Sequence, residues 1–461
     1  RYEKVFMKKS SVGVVSLGCP KNLVDTEEML GALDATGQVE FVDSELDTDI
    51  LVINTCAFIE SAREESINAI LDAVARKGRG EVGKVIVTGC LAQRYGNDLA
   101  MEIPEVDAIL GIQSGNRIVD AVFGPQSIRQ QSKTMLPMAT SMPVQLDPIE
   151  GKYPLMPART VRGGDKWSAY VKVSEGCDHR CTFCAIPSFR GKHRSKPIEE
   201  IIDEVKVLVD RGVVEINLIA QDTTAYGMDL YKELALPRLL ERLGAVPGLK
   251  WVRLLYCYPT MVNDRLLKTM ADTENIVKYM DIPLQHGDDR MLGLMKRGGS
   301  VGQYERLFDR MRTLMPDISI RTTFLLGFPG EDDIAFQNLM QFVSAMKFDR
   351  LGVFTYSPED GTPGAEMKPI VPKRIANTRR RELLALQQSI STDINQQLLG
   401  RSIDILVEKI VGNDSIGRSW RDAPEIDGSV CVRNFKSIPG TFVTGKITDA
   451  GPYDVFAEMR S

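Results

Sequence analysis

Short apolar runs alternate with helix-period stretches over the first part of the chain. The runs fall at 12–17, 50–54, 85–88 and 108–110, and amphipathic stretches at 26–33, 60–74 and 115–122 lie between them. Continuous short apolar runs read as strands buried on both faces, and strand–helix alternation implies right-handed crossovers onto one parallel sheet. This predicts an open parallel α/β sheet domain over 10–124. Residues 125–165 break the pattern with Pro125, Pro137, Pro143, Pro148, Pro154 and Pro157 among many Gln, Ser and Met, which predicts an extended linker with scope to pack on the surface. A second alternating series occupies 166–372. Its strands are expected at 169–173, 215–220, 251–256, 279–283, 319–326 and 351–355, with helices at 197–211, 234–243, 264–271, 304–315 and 334–346. Six such units predict a full or partial (β/α)6 barrel whose working end lies at the strand C-termini.

A connecting helix is expected over 373–399, with Ile375, Leu383, Leu386, Ile390 and Ile394 on its apolar stripe and Gly400 closing it. Its run Arg379-Arg380-Arg381 reads as a solvated face. From 400 to 461 short strands at 403–408, 430–432 and 441–447 stand between Gly and Pro turns, which predicts a small OB-like β-barrel.

Composition narrows the class. With 43% hydrophobic and 26% charged residues, 38 Gly and 23 Pro in 461, the chain is neither disordered, collagenous nor coiled coil. A formal net charge of −5 argues against the whole chain acting as electrostatic glue for nucleic acid or membrane. No run of 18 apolar residues occurs, so no transmembrane helix and no membrane partner are expected. Lys8 and Lys9 before the apolar run, with Cys19 after Leu17-Gly18, mimic a lipoprotein signal. The apolar stretch is too short for that, so a buried strand and a cytoplasmic location are expected. Met7-Lys8-Lys9 reads as a native start, with residues 1–6 extraneous.

The eight cysteines are clustered unevenly, which in such a chain points to metal ligands or reactive thiols. Cys177, Cys181 and Cys184 lie in one short run directly after a predicted strand. Three readings compete. Zinc would want a fourth ligand, His179 or His193. A lone Cys-x2-Cys would be a redox pair. Cys-x3-Cys-x2-Cys suits a cubane iron–sulfur cluster with one iron left open to a chelating ligand. Cys19, Cys56 and Cys90 are far apart, yet each follows a predicted strand. Strand C-termini of a parallel sheet share one edge, so these thiols can converge, with Gly18 and Gly89 allowing tight turns. Three separate core thiols are the plain alternative. Three coincidences at equivalent strand ends favour a second three-thiolate site.

The Cys-x3-Cys-x2-Cys motif after the first barrel strand resembles the radical S-adenosylmethionine superfamily. Together with three strand-end cysteines, a linker and a small β tail of TRAM type, it resembles the methylthiotransferase family from about residue 10 onward. The segments Leu17-Gly-Cys-Pro-Lys-Asn22, Asn54-Thr-Cys-Ala-Phe-Ile59, Gly89-Cys-Leu-Ala-Gln-Arg94 and Cys184-Ala-Ile-Pro-Ser-Phe-Arg-Gly191 are similar to the branch that modifies an aspartate of small-subunit ribosomal protein twelve. The sister branch acts on transfer RNA and differs beside the same cysteines.

The resemblance implies two [4Fe-4S] clusters, held by Cys177, Cys181 and Cys184 and by Cys19, Cys56 and Cys90, with S-adenosylmethionine as cosubstrate. It implies reductive cleavage of S-adenosylmethionine at the first set, hydrogen removal from the aspartate β-carbon, and transfer of methylated sulfur from the second. An electron donor is then required. Strand-end positions such as Gln221, Gln285 and Arg321 are implied to contact S-adenosylmethionine, though the resemblance does not single one out. The rivals are the same chemistry on transfer RNA and a non-enzymatic iron–sulfur sensor with an RNA-binding tail. The sensor leaves the barrel without a task. The tail from 400 to 461 carries a net charge near zero, which suits a basic ribosomal protein better than phosphate. Cys257 and Cys431 are expected to pack, and His179 and His193 to sit near the cluster loop without binding metal. His286 either faces the site or caps its strand. The loop Phe328-Pro-Gly-Glu331 either cradles adenosine or is a plain turn, and Trp420 and Tyr453 are recognition aromatics or core. No P-loop or HExxH pattern occurs.

Overall fold

The computed structural model describes residues 9–112, 114–115, 117–124, 144–147, 153, 159 and 167–459. The expected start at Met7 and most of the expected linker over 125–165 lie outside the described residues. The chain divides into two compact units: Arg1–Gly163 with Ile186–Lys192, and Gly164–Ala185 with His193–Ser461.

The first unit runs β1 (Ser10–Ser16), α1 (Pro20–Asp34), β2 (Val39–Phe41), β3 (Thr48–Thr55), α2 (Glu60–Gly78), β4 (Val82–Gly89), α3 (Cys90–Glu102), β5 (Ala108–Leu110), α4 (Arg117–Phe123) and β6 (Val144–Gln145). Its sheet has the order β2-β1-β3-β4-β5-β6, and every pairing is parallel. Ile50-Leu51-Val52-Ile53 are all buried, as a strand covered on both faces requires. Val12, Val52, Ile86 and Leu110 pack with Met29 and Leu33 of α1 and Ile118 of α4. Two short strands escape the sequence pattern. Three residues at 39–41 and two at 144–145 are too few to show a period, and the second falls within the expected linker. Helix α1 also departs from an amphipathic surface helix. Its Asp25, Glu27 and Glu28 are buried, and Glu27 pairs with Arg159 at 2.7 Å.

The second unit opens with β7 (Ser168–Lys172) and β8 (Ser174–Glu175). After α5 (Ile186–Arg190), which belongs to the first unit, come β9 (Arg194–Ser195), α6 (Ile198–Asp210), β10 (Glu215–Ile219), α7 (Leu236–Gly244), β11 (Trp251–Leu254), α8 (Asp264–Asp272) and β12 (Ile276–Asp281). Then follow α9 (Asp289–Leu294), α10 (Val301–Leu314), β13 (Ser319–Leu326), α11 (Asp333–Met346), β14 (Arg350–Thr355), α12 (Pro363–Glu366) and α13 (Lys373–Gln396). Strands β7, β10, β11, β12, β13 and β14 form one parallel sheet in that order, with β7 and β14 as its edges, so the barrel is partial. The Arg379-Arg380-Arg381 run corrects the expectation of a solvated face. Arg379 is buried because it bonds Glu331 at 2.7 Å and Asp333 at 2.6 Å, while Arg380 and Arg381 stay exposed.

The tail is a closed barrel of β15 (Ser402–Val411), β16 (Asp414–Arg418), β17 (Val430–Val432), β18 (Phe442–Ala450) and β19 (Val455–Met459), ordered β15-β16-β17-β19-β18. Ile403, Ile405, Val430, Ile447 and Val455 fill it. Buried ion pairs fasten it to the parallel sheet. Glu215 meets Arg253 at 3.1 Å and Arg418 at 2.6 Å, and Arg350 meets Asp422 at 2.6 Å. No helix among the described residues is long and apolar enough to cross a membrane.

Candidate metal centres

In the first unit, the sheet register sets the site. Ser16 stands opposite Asn54, and Asn54 opposite Thr88, so β1, β3 and β4 end at one level. Cys19, Cys56 and Cys90 follow those ends within three residues. Cys19 is the N-cap of α1 and Cys90 the first residue of α3. A helix N-terminus favours negative charge, which suits a thiolate. Cys56 is pinned by Ser66, whose Oγ accepts from its N–H at 2.9 Å and donates to its carbonyl at 3.0 Å. Gly18 has φ +91°, and a Cβ there would stand 2.9 Å from Cys56 Sγ. Only glycine therefore lets the Cys19 turn pass beside Cys56.

Asn22 ties these strand ends together. Its Nδ2 donates to Leu17 O at 3.1 Å and to Thr55 O at 2.9 Å. Its Oδ1 accepts from Cys90 Sγ at 3.4 Å and from Arg190 Nη2 at 2.8 Å. Burial pushes the Cys90 thiol up to about 12, against the pull of Arg190, with the Cys19 and Cys56 thiols adding to the rise. Burial raises Cys56 as well. The three thiols thus sense one another, and a bound metal is what would take up their charge on deprotonation.

In the second unit, β8 and β9 pair antiparallel and close the segment that carries Cys177, Cys181 and Cys184 beyond β7. Thr182 fixes this loop by donating its N–H to Met295 O at 3.0 Å and its Oγ1 to Leu294 O at 2.8 Å. Burial pushes the Cys177 thiol up to about 12, helped by the Cys184 and Cys181 thiols. An aromatic stack beside the loop has no counterpart in the sequence pattern. The Tyr258 ring stacks on the His179 imidazole at 3.6 Å, and the Arg297 guanidinium lies 3.9 Å from the Tyr258 centroid. Arg297 Nη1 reaches Cys181 Sγ at 3.7 Å. Tyr258 and Arg297 lie in loops with no periodic signal, so a pattern search passes over them. His179 Nε2 is held by Asp222 at 2.6 Å, and His193 Nε2 by Ser195 Oγ at 3.1 Å.

Among the described residues no three ligand-type side chains close tightly enough around a single metal ion. A cubane spreads its thiolates more widely than one ion does. The first set, with Gly18 and the N-termini of α1 and α3 beside it, and the second set, on a loop fixed through Thr182, each offer three thiols that fit such a cluster with one iron free of protein.

Gln221 Nε2 donates to Glu175 Oε1 at 2.9 Å, and its own Oε1 is buried with no hydrogen-bond partner. Gln285 has φ +78° and bridges by its backbone to Phe324. Arg321 pairs with Asp281 at 3.0 Å and with Asp427 of the tail at 3.4 Å. His286 is fully buried, 3.6 Å from a Glu331 oxygen, with neither ring nitrogen hydrogen-bonded. The loop from Phe328 to Glu331 is braced by Glu331, which also accepts from Gly327 N at 2.8 Å. Cys257 is buried, while Cys431 lies 3.7 Å from Asp414 Oδ2. Trp420 Nε1 donates to Asp317 O at 3.2 Å, and Tyr453 is exposed.

Comparison with known proteins settles the family. Residues 171–343 match the Radical SAM superfamily, 399–459 the TRAM domain, and 11–111 a family described as Uncharacterized protein family UPF0004. The chain is 46% identical over 453 residues to the ribosomal protein uS12 methylthiotransferase RimO of Desulforamulus reducens, covering 97% of this chain and 99% of that one. The chain belongs to the RimO family. The RimO of Syntrophus aciditrophicus is 43% identical over 460 residues, with 99% of both chains covered. The fold the RimO family shares reaches further. The radical S-adenosylmethionine methyltransferase TsrM from Kitasatospora setae, solved with cobalamin and a [4Fe-4S] cluster, aligns at TM-score 0.54 and 14% identity over 77% of this chain and 74% of that one.

Proposed function

We propose that this chain is a radical S-adenosylmethionine methylthiotransferase that adds a methylthio group to the β-carbon of an aspartate in ribosomal protein uS12. One observation carries the reading: near-full-length kinship to uS12 methylthiotransferases in a chain whose six family cysteines stand in two sets at the ends of parallel strands. A ribosomal substrate implies a cytoplasmic reaction, and an electron donor must serve it.

When bound, two [4Fe-4S] clusters and S-adenosylmethionine supply the electron, the hydrogen abstraction and the methylated sulfur. Cys177, Cys181 and Cys184 would hold one cluster, and Thr182 fixes their loop through backbone carbonyls. The orphaned Gln221 Oε1, just beyond β10 and next to Glu175, offers an acceptor to a cosubstrate amine or hydroxyl. The Tyr258 stack stiffens the loop beside Cys181. Cys19, Cys56 and Cys90 would hold the second cluster, with Asn22 keeping their turns in register.

Two measurements test this reading. Anaerobically reconstituted protein should contain about eight irons per chain, as two cysteine-ligated cubanes require. Stoichiometric zinc without iron would exclude the cluster assignment. Turnover with ribosomal protein uS12 and with purified transfer RNA, read by mass spectrometry, should place the added mass on an aspartate of the protein. Methylthiolated adenosine with unmodified uS12 would instead assign the transfer RNA reaction.

A further inference from the structure

Arg190 has no part in the reading above, although it lies in the motif after Cys184. Its segment, Ile186–Lys192, belongs to the first unit. The residue is 1% exposed. Its Nη2 lies 3.1 Å from Cys90 Sγ, 2.8 Å from Asn22 Oδ1 and 3.2 Å from Asp25 Oδ2. A guanidinium keeps its charge under all ordinary conditions, so burial here commits a permanent positive charge to the site. The Asp25 carboxylate would balance that charge alone. The hydrogen bond to sulfur and the link to Asn22 go beyond what an ion pair needs.

Hydrogen bonds to cysteinyl sulfur and nearby positive charge both raise the reduction potential of an iron–sulfur cluster. We propose that Arg190 is a positioning residue for the cluster of Cys19, Cys56 and Cys90: it donates to the Cys90 sulfur and makes that cluster easier to reduce. The inference rests on the assignment of a cluster to these three cysteines. Asn22 places the guanidinium, since the same amide that receives Arg190 holds the turns before Cys19 and Cys56. All three contacts are made by one nitrogen, so a lysine ammonium would keep both the charge and a donor directed at the site.

The test uses the full chain with Cys177, Cys181 and Cys184 all replaced by alanine, so that one cluster remains, and reads its potential by EPR-monitored titration. Arg190→Gln should shift the potential downward at unchanged iron content, and Arg190→Lys should restore most of the shift. Asp25→Asn should move it upward, because a negative charge is lost. A merely structural role predicts that Arg190→Gln and Asp25→Asn disturb the site in the same direction. A second readout needs no change at position 190. With arginine labelled by nitrogen-15, pulsed EPR of the reduced cluster should show an arginine nitrogen coupling. An unmoved potential in Arg190→Gln, shifts of equal sign in the two variants, or no such coupling would overturn the proposal. If the parent holds no iron at Cys19, Cys56 and Cys90, the cluster assignment itself fails and the inference with it.

Discussion

Cys181→Ala is expected to drop 5′-deoxyadenosine formation to background, whereas Cys56→Ala keeps that formation measurable and loses the methylthiolated product. Cys181 is the buried member of the loop set, 8% exposed, and its neighbour Thr182 anchors the loop to the end of α9. Alanine at 181 therefore removes a ligand without freeing the loop. With one of three thiolates gone, reductive cleavage of S-adenosylmethionine has no electron source. Cys56 is different. Ser66 holds both its N–H and its carbonyl, so alanine leaves the turn after β3 in place and deletes the sulfur alone. Dithionite-reduced enzyme, with 5′-deoxyadenosine and modified uS12 quantified in the same tube, separates the two roles. Normal product from Cys56→Ala would refute the division of labour.

Glu215→Ala should destabilise the second unit by about 3–5 kcal/mol, the cost of leaving buried charges without their partner. Glu215 is fully buried between Arg253 and Arg418, with Arg418 Nε also on Glu408 at 2.6 Å. Removing the carboxylate leaves the Arg253 guanidinium with only the Ser419 and Trp420 carbonyls and Arg418 with Glu408, in the seam between the parallel sheet and the tail barrel. Urea unfolding followed by tryptophan fluorescence reports on this seam, because Trp251 packs on Phe442 and Trp420 bonds Asp317 there. A midpoint unchanged from wild type would show the pairs to be ornamental. The same residue sets an acid limit. Burial pushes its carboxyl up, but Arg418 and Arg253 overcome that and hold it at about 2, against an ordinary value of 4.5. Its stabilisation is therefore complete above about pH 4.5 and is lost as the pH falls through 2. The amount at stake is roughly 3 kcal/mol, and Glu215→Ala should flatten this part of the acid profile.

Much of this architecture is legible in the sequence, for a physical reason. Parallel strands buried on both faces leave unbroken apolar runs such as Ile50-Leu51-Val52-Ile53, and their C-termini must share an edge. Cysteines far apart in the chain are thus brought together by the strand pattern alone. What escapes is whatever depends on contacts between distant segments. Arg190 and Asn22 are 168 positions apart, and neither marks the other in sequence. Arg379 reads as solvated because a basic run on a helix usually is, and only the tertiary partner Glu331 buries it. The buried acidic residues of α1 escape for the same reason, since their partners include Arg159 and Arg190. Two-residue strands such as β6 exist only through the neighbour they pair with.

The first unit is interrupted along the chain, and this bears on how it can be made. A ribosome completes all three of its cysteines before the barrel begins, yet Ile186–Lys192 emerges only after Cys177, Cys181 and Cys184. Until then Asp25 lacks the guanidinium that meets it at 3.2 Å. Domains usually fold as they leave the ribosome, amino-terminal first. Here the first unit is completed only by a piece of chain that follows the loop cysteines. A truncation placed in the proline-rich stretch would yield a sheet that lacks α5 and the Arg190 contacts to Asn22, Asp25 and Cys90, so the amino-terminal half expressed by itself is not the whole of the first unit.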